Sequence, residues 1–132
     1  MIIRTYDEPA DRSVDAEVDT LEQLRPDLLA ALSRTTGLGH PTAVAIVGDA
    51  AELVLANTAS GCFVMWGDAE GNSMHLVEGR TGDDVYVFSY FGHWSEVGVE
   101  DLVSVDALDT AVAAFFDSGR IDGAGLVTVV DC

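Results

Sequence analysis

The side chains with the widest chemical reach lie within four positions of one another: His93, Ser95 and Glu96 offer a base, a hydroxyl and an acid around Trp94. Residues this close in sequence rarely form a nucleophilic triad by themselves, and no Gly-x-Ser-x-Gly elbow surrounds any serine. The histidines, His40, His75 and His93, are scattered. No His-Glu-x-x-His or Cys-x-x-Cys pattern is present to hold zinc, so no metal is expected. Gly37-x-Gly39 and the other glycines do not join a strand to a helix at the spacing a phosphate cradle requires, and no cofactor is expected either. These residue types point away from an enzyme.

The element that must position this cluster runs from Asp84. Val85, Val87 and Ser89 alternate with Tyr86, Phe88 and Tyr90, a two-residue period that puts aromatic rings on one face of a strand. The reading is a central strand, the spine of a sheet, which breaks at Gly92 into a His-Trp-Ser-Glu turn.

The rest of the chain supplies the frame. Residues Met1 to Tyr6 read as an edge-type strand, and Asp7 to Asp19 as a solvated acidic loop or a hairpin partner around Val14 to Val18. Thr20 with Gln23, or Asp19 with Glu22, makes a capping-box start for a helix whose Leu21, Leu24, Leu28 and Leu32 form one stripe. Pro26 is discordant, so the helix either kinks there or begins there, and Gly37 and Gly39 end it. Strands follow at Thr42 to Val47, Glu52 to Asn57, Cys62 to Trp66 and Ser73 to Glu78, with Val85 to Phe91 as the fifth strand of a meander. Loops this short require antiparallel neighbours, and Asp68 to Asn72 and Gly79 to Asp83 are the turns. Asp106 reads as the N-cap of a second helix with Leu108, Ala111, Val112 and Phe115 inward, Gly119 as its left-handed C-cap, and Leu126 to Val130 as a closing strand. The fold class is α+β: a twisted antiparallel sheet of about five to seven strands with two helices, most simply both on one face.

A chain of 132 residues with 48% hydrophobic content is the size of one domain, spanning 1–132, that buries roughly 70% of its unfolded surface. No apolar run approaches the ~20 residues of a membrane helix. Met1 to Asp7 holds too short an apolar patch for a secretory signal, so the expectation is a cytoplasmic protein. Cys62 and Cys132 read as a buried reduced thiol and a loose terminal one.

Charge is the strongest compositional signal: 23 acidic residues against six arginines and no lysine, a formal net charge of -17. Self-repulsion on that scale opposes folding. Direct nucleic-acid binding is disfavoured, because phosphate recognition needs Lys and Arg clusters. The charge suits a basic partner, or else the generally acidic proteome of a salt-adapted or high-GC source. Trp66 and Trp94, each at a strand end beside glycine, suit either a core cap or a partner anchor. Glu96 suits a turn-holding role as well as partner contact.

The run Tyr90-Phe91-Gly92-His93-Trp94-Ser95-Glu96, then Leu102-Val103, the helix Ala111 to Phe116, Ser118-Gly119 and a valine-rich strand resembles the bacterial immunity proteins found beside polymorphic toxins of the nucleic-acid deaminase type. That family's pattern is an aromatic strand ending in Gly-x-x-Ser-Glu and a later helix ending in Phe-Phe-x-x-Gly. The match covers about residues 84 to 130. The N-terminal half agrees in layout but departs in its acidic lead, Asp7 to Asp19, and in Pro26. The resemblance implies a non-enzymatic inhibitor that binds a cognate toxin domain and blocks its basic, nucleic-acid-binding groove. The expected contact residues are Trp66, Asp68, Glu70, Glu78, Asp83, Asp84, His93, Trp94, Glu96, Glu100 and Asp101. The alternative is an acidic, non-catalytic adaptor or regulatory module.

Overall fold

The computed structural model of the chain describes residues 1–122 and, as backbone, residues 128–131. Nine strands and two helices follow in the order β1 (Ile2–Asp7), β2 (Arg12–Glu17), α1 (Leu21–Leu32), β3 (Val44–Val47), β4 (Ala51–Thr58), β5 (Gly61–Asp68), β6 (Ser73–Val77), β7 (Val85–Tyr90), β8 (His93–Gly98), α2 (Val105–Ser118) and β9 (Thr128–Asp131). The fold is α+β. Seven strands form one antiparallel sheet in the order β2-β1-β3-β4-β5-β6-β9, and β7 and β8 form a separate two-stranded ribbon.

This corrects the expectation that Val85 to Phe91 is the central spine. The edge of β6 that a continuing meander would use is taken by β9, which pairs Leu76 with Val129 and Val77 with Thr128. The aromatic strand is therefore displaced onto a face of the sheet. The His-Trp-Ser-Glu segment is not a turn but a strand, because Phe91 (φ 50) and Gly92 (φ 89) reverse the chain in two residues and pair Tyr90 with His93. Positive φ at both central positions is the primed turn that matches the twist of a hairpin.

The middle strands explain why a second cover is needed. Val44, Ile46, Leu53, Leu55, Val64 and Trp66 point to one face, where they pack with Leu24, Leu28 and Leu32 of α1 and Leu108, Val112 and Phe115 of α2. Ala43, Ala45, Val54 and Ala56 point to the other, where Phe88, Val97 and Leu102 cover them. Both helices thus share one face, as expected, and the hairpin occupies the opposite one. Large residues meet helices and small ones admit the rings of the hairpin, so three layers interdigitate. Full burial of a ring such as Phe115 or Phe88 contributes about 2–3 kcal/mol.

Local chemistry sets the helix ends. Thr20 accepts from the Gln23 amide at 3.2 Å while the Gln23 side chain returns to the Asp19 amide at 2.9 Å, which starts α1 at Leu21 and runs it through Pro26. Pro26 therefore does not begin the helix, and α1 stops at Leu32, before Gly37. Ser104, not Asp106, caps α2, accepting from the Ala107 amide at 3.1 Å. Gly119 closes α2 in the left-handed conformation, φ 74. β1 is interior, and the acidic stretch after it supplies the true edge, β2, every residue of which is exposed. Carboxylates and an arginine on an edge discourage pairing with other chains. The expected strand residues Leu126 and Val127 and the Cys132 thiol lie outside the described residues. Among the described residues, no helix is long and apolar enough to cross a membrane.

Candidate protein-binding surface

The ribbon lies across the sheet from the β4–β5 turn to β1. At its base the Tyr86 hydroxyl shares a hydrogen bond with Ser60. At mid-length Phe88 packs on Phe63, centroids 5.6 Å apart. At its tip the Gly92 backbone sits so close to Tyr6 that an added Cβ would fall 2.8 Å from the phenol oxygen. Phe91 meets the rings of Tyr6 and Tyr90 edge-on at 6.5 and 5.3 Å. Tyr6 itself donates to Asp11, and that bond to a carboxylate pushes its phenol pKa up to about 12.

Register decides which side chains face outward. Tyr86 with Val97, Phe88 with Ser95 and Tyr90 with His93 form the inner rows. Val87 with Glu96 and Ser89 with Trp94 form outer rows, Ser89 itself being buried beside the Pro41–Ala43 backbone, and Val85 stands opposite Gly98. Ser95 and Glu96 thus point to opposite sides of the ribbon, so His93, Ser95 and Glu96 do not converge as a base, nucleophile and acid would. The outer face instead presents Trp94, 57% exposed, and Val85, 58% exposed. His40 braces Trp94, ring edge to ring face, at 5.2 Å.

The ribbon also carries an open edge. The Ser89 amide donates to the Pro41 carbonyl and its carbonyl accepts from the Ala43 amide, both at 2.8 Å. Its main-chain groups are therefore turned away from β8, and Ser89 and Trp94 form a non-hydrogen-bonded pair. By the same alternation the amides and carbonyls of Trp94 and Glu96 point to the outer edge of β8. No described strand pairs with that edge.

The expected contact residues divide accordingly. Asp83 and Asp84 are exposed ahead of β7, His93, Trp94 and Glu96 are exposed on β8, and Glu100 is exposed just beyond it. None of those carboxylates forms a salt bridge among the described residues. Asp101 lies beside them but is half-buried and engaged by the His75 Nε2 at 3.0 Å. Trp66 is a correction: it is 3% exposed, its indole N–H donates to the Gly119 carbonyl at 2.7 Å, and the Arg120 guanidinium lies 4.8 Å over its ring. It caps the core and offers no surface to a partner. Asp68 is occupied by its own turn, accepting from the Asn72 side chain at 3.0 Å and from the Glu70 and Asn72 amides. Those bonds, the Asn72 side chain first, hold its carboxyl below the usual range. Glu70 rides on that turn, at the far end of β5 from the base of the ribbon. Glu78 accepts from the Ser104 amide and pairs with Arg80 at 3.6 Å, fixing the approach to α2.

Two features of this surface are not legible in the sequence: the alternation places Val85 opposite the aromatics without saying which side meets solvent, and a turn at His93–Glu96 would have no strand edge to offer. The readable signal was Ala43, Ala45 and Ala56: small residues alternating with large ones in strands with no polar face announce a second covering layer. No protein-family model matches the chain, and neither does any curated protein or solved structure.

Proposed function

We propose that this protein is an immunity protein that binds and neutralises a cognate secreted toxin acting on nucleic acid, a deaminase in the first instance. The observation that carries this reading is the outer face of the β7–β8 ribbon, where Trp94 and Glu96 stand beside an open strand edge, with the exposed carboxylates Asp83, Asp84 and Glu100 at the base of the ribbon. A domain that acts on DNA or RNA must hold phosphates in a basic groove. A surface of opposite sign competes for that groove, and a net charge of -17 steers the encounter toward it. Charge supplies association rate, whereas residence time comes from desolvated anchors, for which tryptophan is the preferred residue. The open backbone of β8 adds a directional element, since an extended partner segment can hydrogen-bond to it as a further strand. The resemblance of residues 84–130 to deaminase-linked immunity proteins gives the partner its class.

Pull-down with the basic toxin domain encoded beside this gene is the test. Binding that weakens steeply as salt rises, and that protects nucleic acid from the toxin, supports the reading. If no neighbouring gene product binds, or if the protein forms only a stable complex with itself, the adaptor alternative replaces it.

A further inference from the structure

On the opposite side of the sheet from the ribbon, α1 and α2 lie on the same face without packing closely on one another. Between them runs an open groove of about 470 Å³. Its floor is Leu28, Leu32, Leu108 and the buried Cys62, and its rims carry Leu29, 69% exposed, and Val105, 64% exposed. The Arg25–Asp109 pair, at 3.5 Å, bridges the two helices and forms part of the groove's lining.

Single exposed apolar residues need no explanation, but two that rim a leucine-floored groove make a continuous surface. Leu29 follows Leu28 directly and Val105 lies one turn before Leu108, so each widens the apolar stripe of its helix beyond what the core uses. The charge around the groove selects what can cover it. Of the charged residues that line it, Asp109 is paired with Arg25 while Asp106 forms no ion pair among the described residues, and neither helix has a basic residue in its last turn. A second copy of the chain would bring another net charge of -17 to the same place, and nucleic acid or an anionic membrane would be repelled likewise. A helix with leucine-like residues along one stripe and Lys or Arg on its flanks fits both the floor and the rim.

We infer that the α1–α2 groove is a docking site for a cationic amphipathic helix of a partner protein, distinct from the ribbon surface on the other side of the sheet. Such a helix would lay its i, i+3, i+4 and i+7 residues between Leu29 and Val105, with a cation over Asp106, as a third helix in that layer. This does not rest on the toxin reading.

The probe is a fluorescent Leu/Lys amphipathic peptide of about 18 residues, ~27 Å as a helix. Its anisotropy is compared with that of a scrambled peptide of the same composition, at physiological ionic strength. The decisive variant is Leu29→Glu with Val105→Glu, because it adds negative charge while spoiling the apolar rim. Wild-type protein is expected to prefer the amphipathic peptide, and the double variant to lose about tenfold or more in affinity. Val14→Glu, on the exposed strand β2, is expected to leave peptide binding within about twofold. Equal binding of the scrambled peptide, or equal or tighter binding by the double variant, reduces the effect to charge and overturns the inference. A wild-type dimer in light scattering that the double variant dissolves also overturns it, since the groove would then be a self-interface. Circular dichroism checks the fold of each variant, and Leu29→Gln with Val105→Thr serves as the milder pair, expected to weaken binding in the same direction.

Discussion

The Trp66 indole Nε1 donates to the Gly119 carbonyl oxygen at 2.7 Å, tying the end of β5 to the C-cap of α2 across 53 positions of sequence. The bond closes the helix end that Gly119 opens, and Arg120 seals the ring from above. Trp66→Phe keeps an aromatic ring but leaves a void where the larger indole packed, as well as a carbonyl without its donor. The expected loss is about 2–4 kcal/mol in denaturant unfolding, from the hydrogen bond and the void together. Partner binding at the ribbon is expected to be unchanged.

Trp94 should show the opposite behaviour. It is 57% exposed and braced only by His40, so Trp94→Ala is expected to change stability by less than about 0.5 kcal/mol. The same variant is expected to weaken partner binding by about 2 kcal/mol or more, measured by calorimetry. Acrylamide should quench Trp94 and spare Trp66 in the free protein, and a bound partner should remove the quenching.

The small face of the sheet is a fitted seat for the ribbon. Ala45 is buried beneath it, so Ala45→Leu forces the hairpin outward and is expected to cost about 1–3 kcal/mol. Partner affinity should fall with it, because the outer face moves. An equivalent loss of stability with unchanged affinity would place the partner elsewhere.

At the hairpin tip, Gly92 combines φ 89 with the close approach of Tyr6. Gly92→Ala meets both the left-handed penalty and the phenol, and a loss of about 1–3 kcal/mol is expected in thermal or urea unfolding.

Titration should act at both ends of the pH scale. Asp15, held below the usual carboxylate range by its hydrogen bond to Arg4, Asp68, held low by Asn72, and Asp122, held low by Arg120, stabilise the fold above their unfolded value of 3.8. That contribution is lost as pH falls through their depressed values. Tyr6 works in the other direction: its bond to Asp11 stabilises the fold below the unfolded value of 10.0 and is lost as pH rises toward about 12. Tyrosinate absorbance should show a late ionisation that Tyr6→Phe reduces, leaving that of Tyr90, whose phenol is also pushed up by burial. Added salt should raise the midpoint of unfolding at neutral pH, because it screens the repulsion of a net charge of -17.

Much of this molecule is local and was legible in the residues themselves. The leucine stripe of α1, the Thr20–Gln23 cap, the left-handed close at Gly119 and the Asp68–Asn72 turn follow from side-chain spacing and from groups bonding a few positions away. The alternation of Tyr86, Phe88 and Tyr90 likewise determined that their rings share a face. It could not determine what that face meets. β6 has one free edge, and β7, next in sequence, competes for it with β9, some fifty residues later; the tertiary structure awards it to β9. That choice lifts β7 out of the sheet, and the Phe91–Gly92 turn brings His93–Gly98 back along it as a strand that exposes Trp94. The physical reason is that strand period encodes which side chains point together, whereas pairing partners are decided by long-range competition for the same backbone hydrogen bonds.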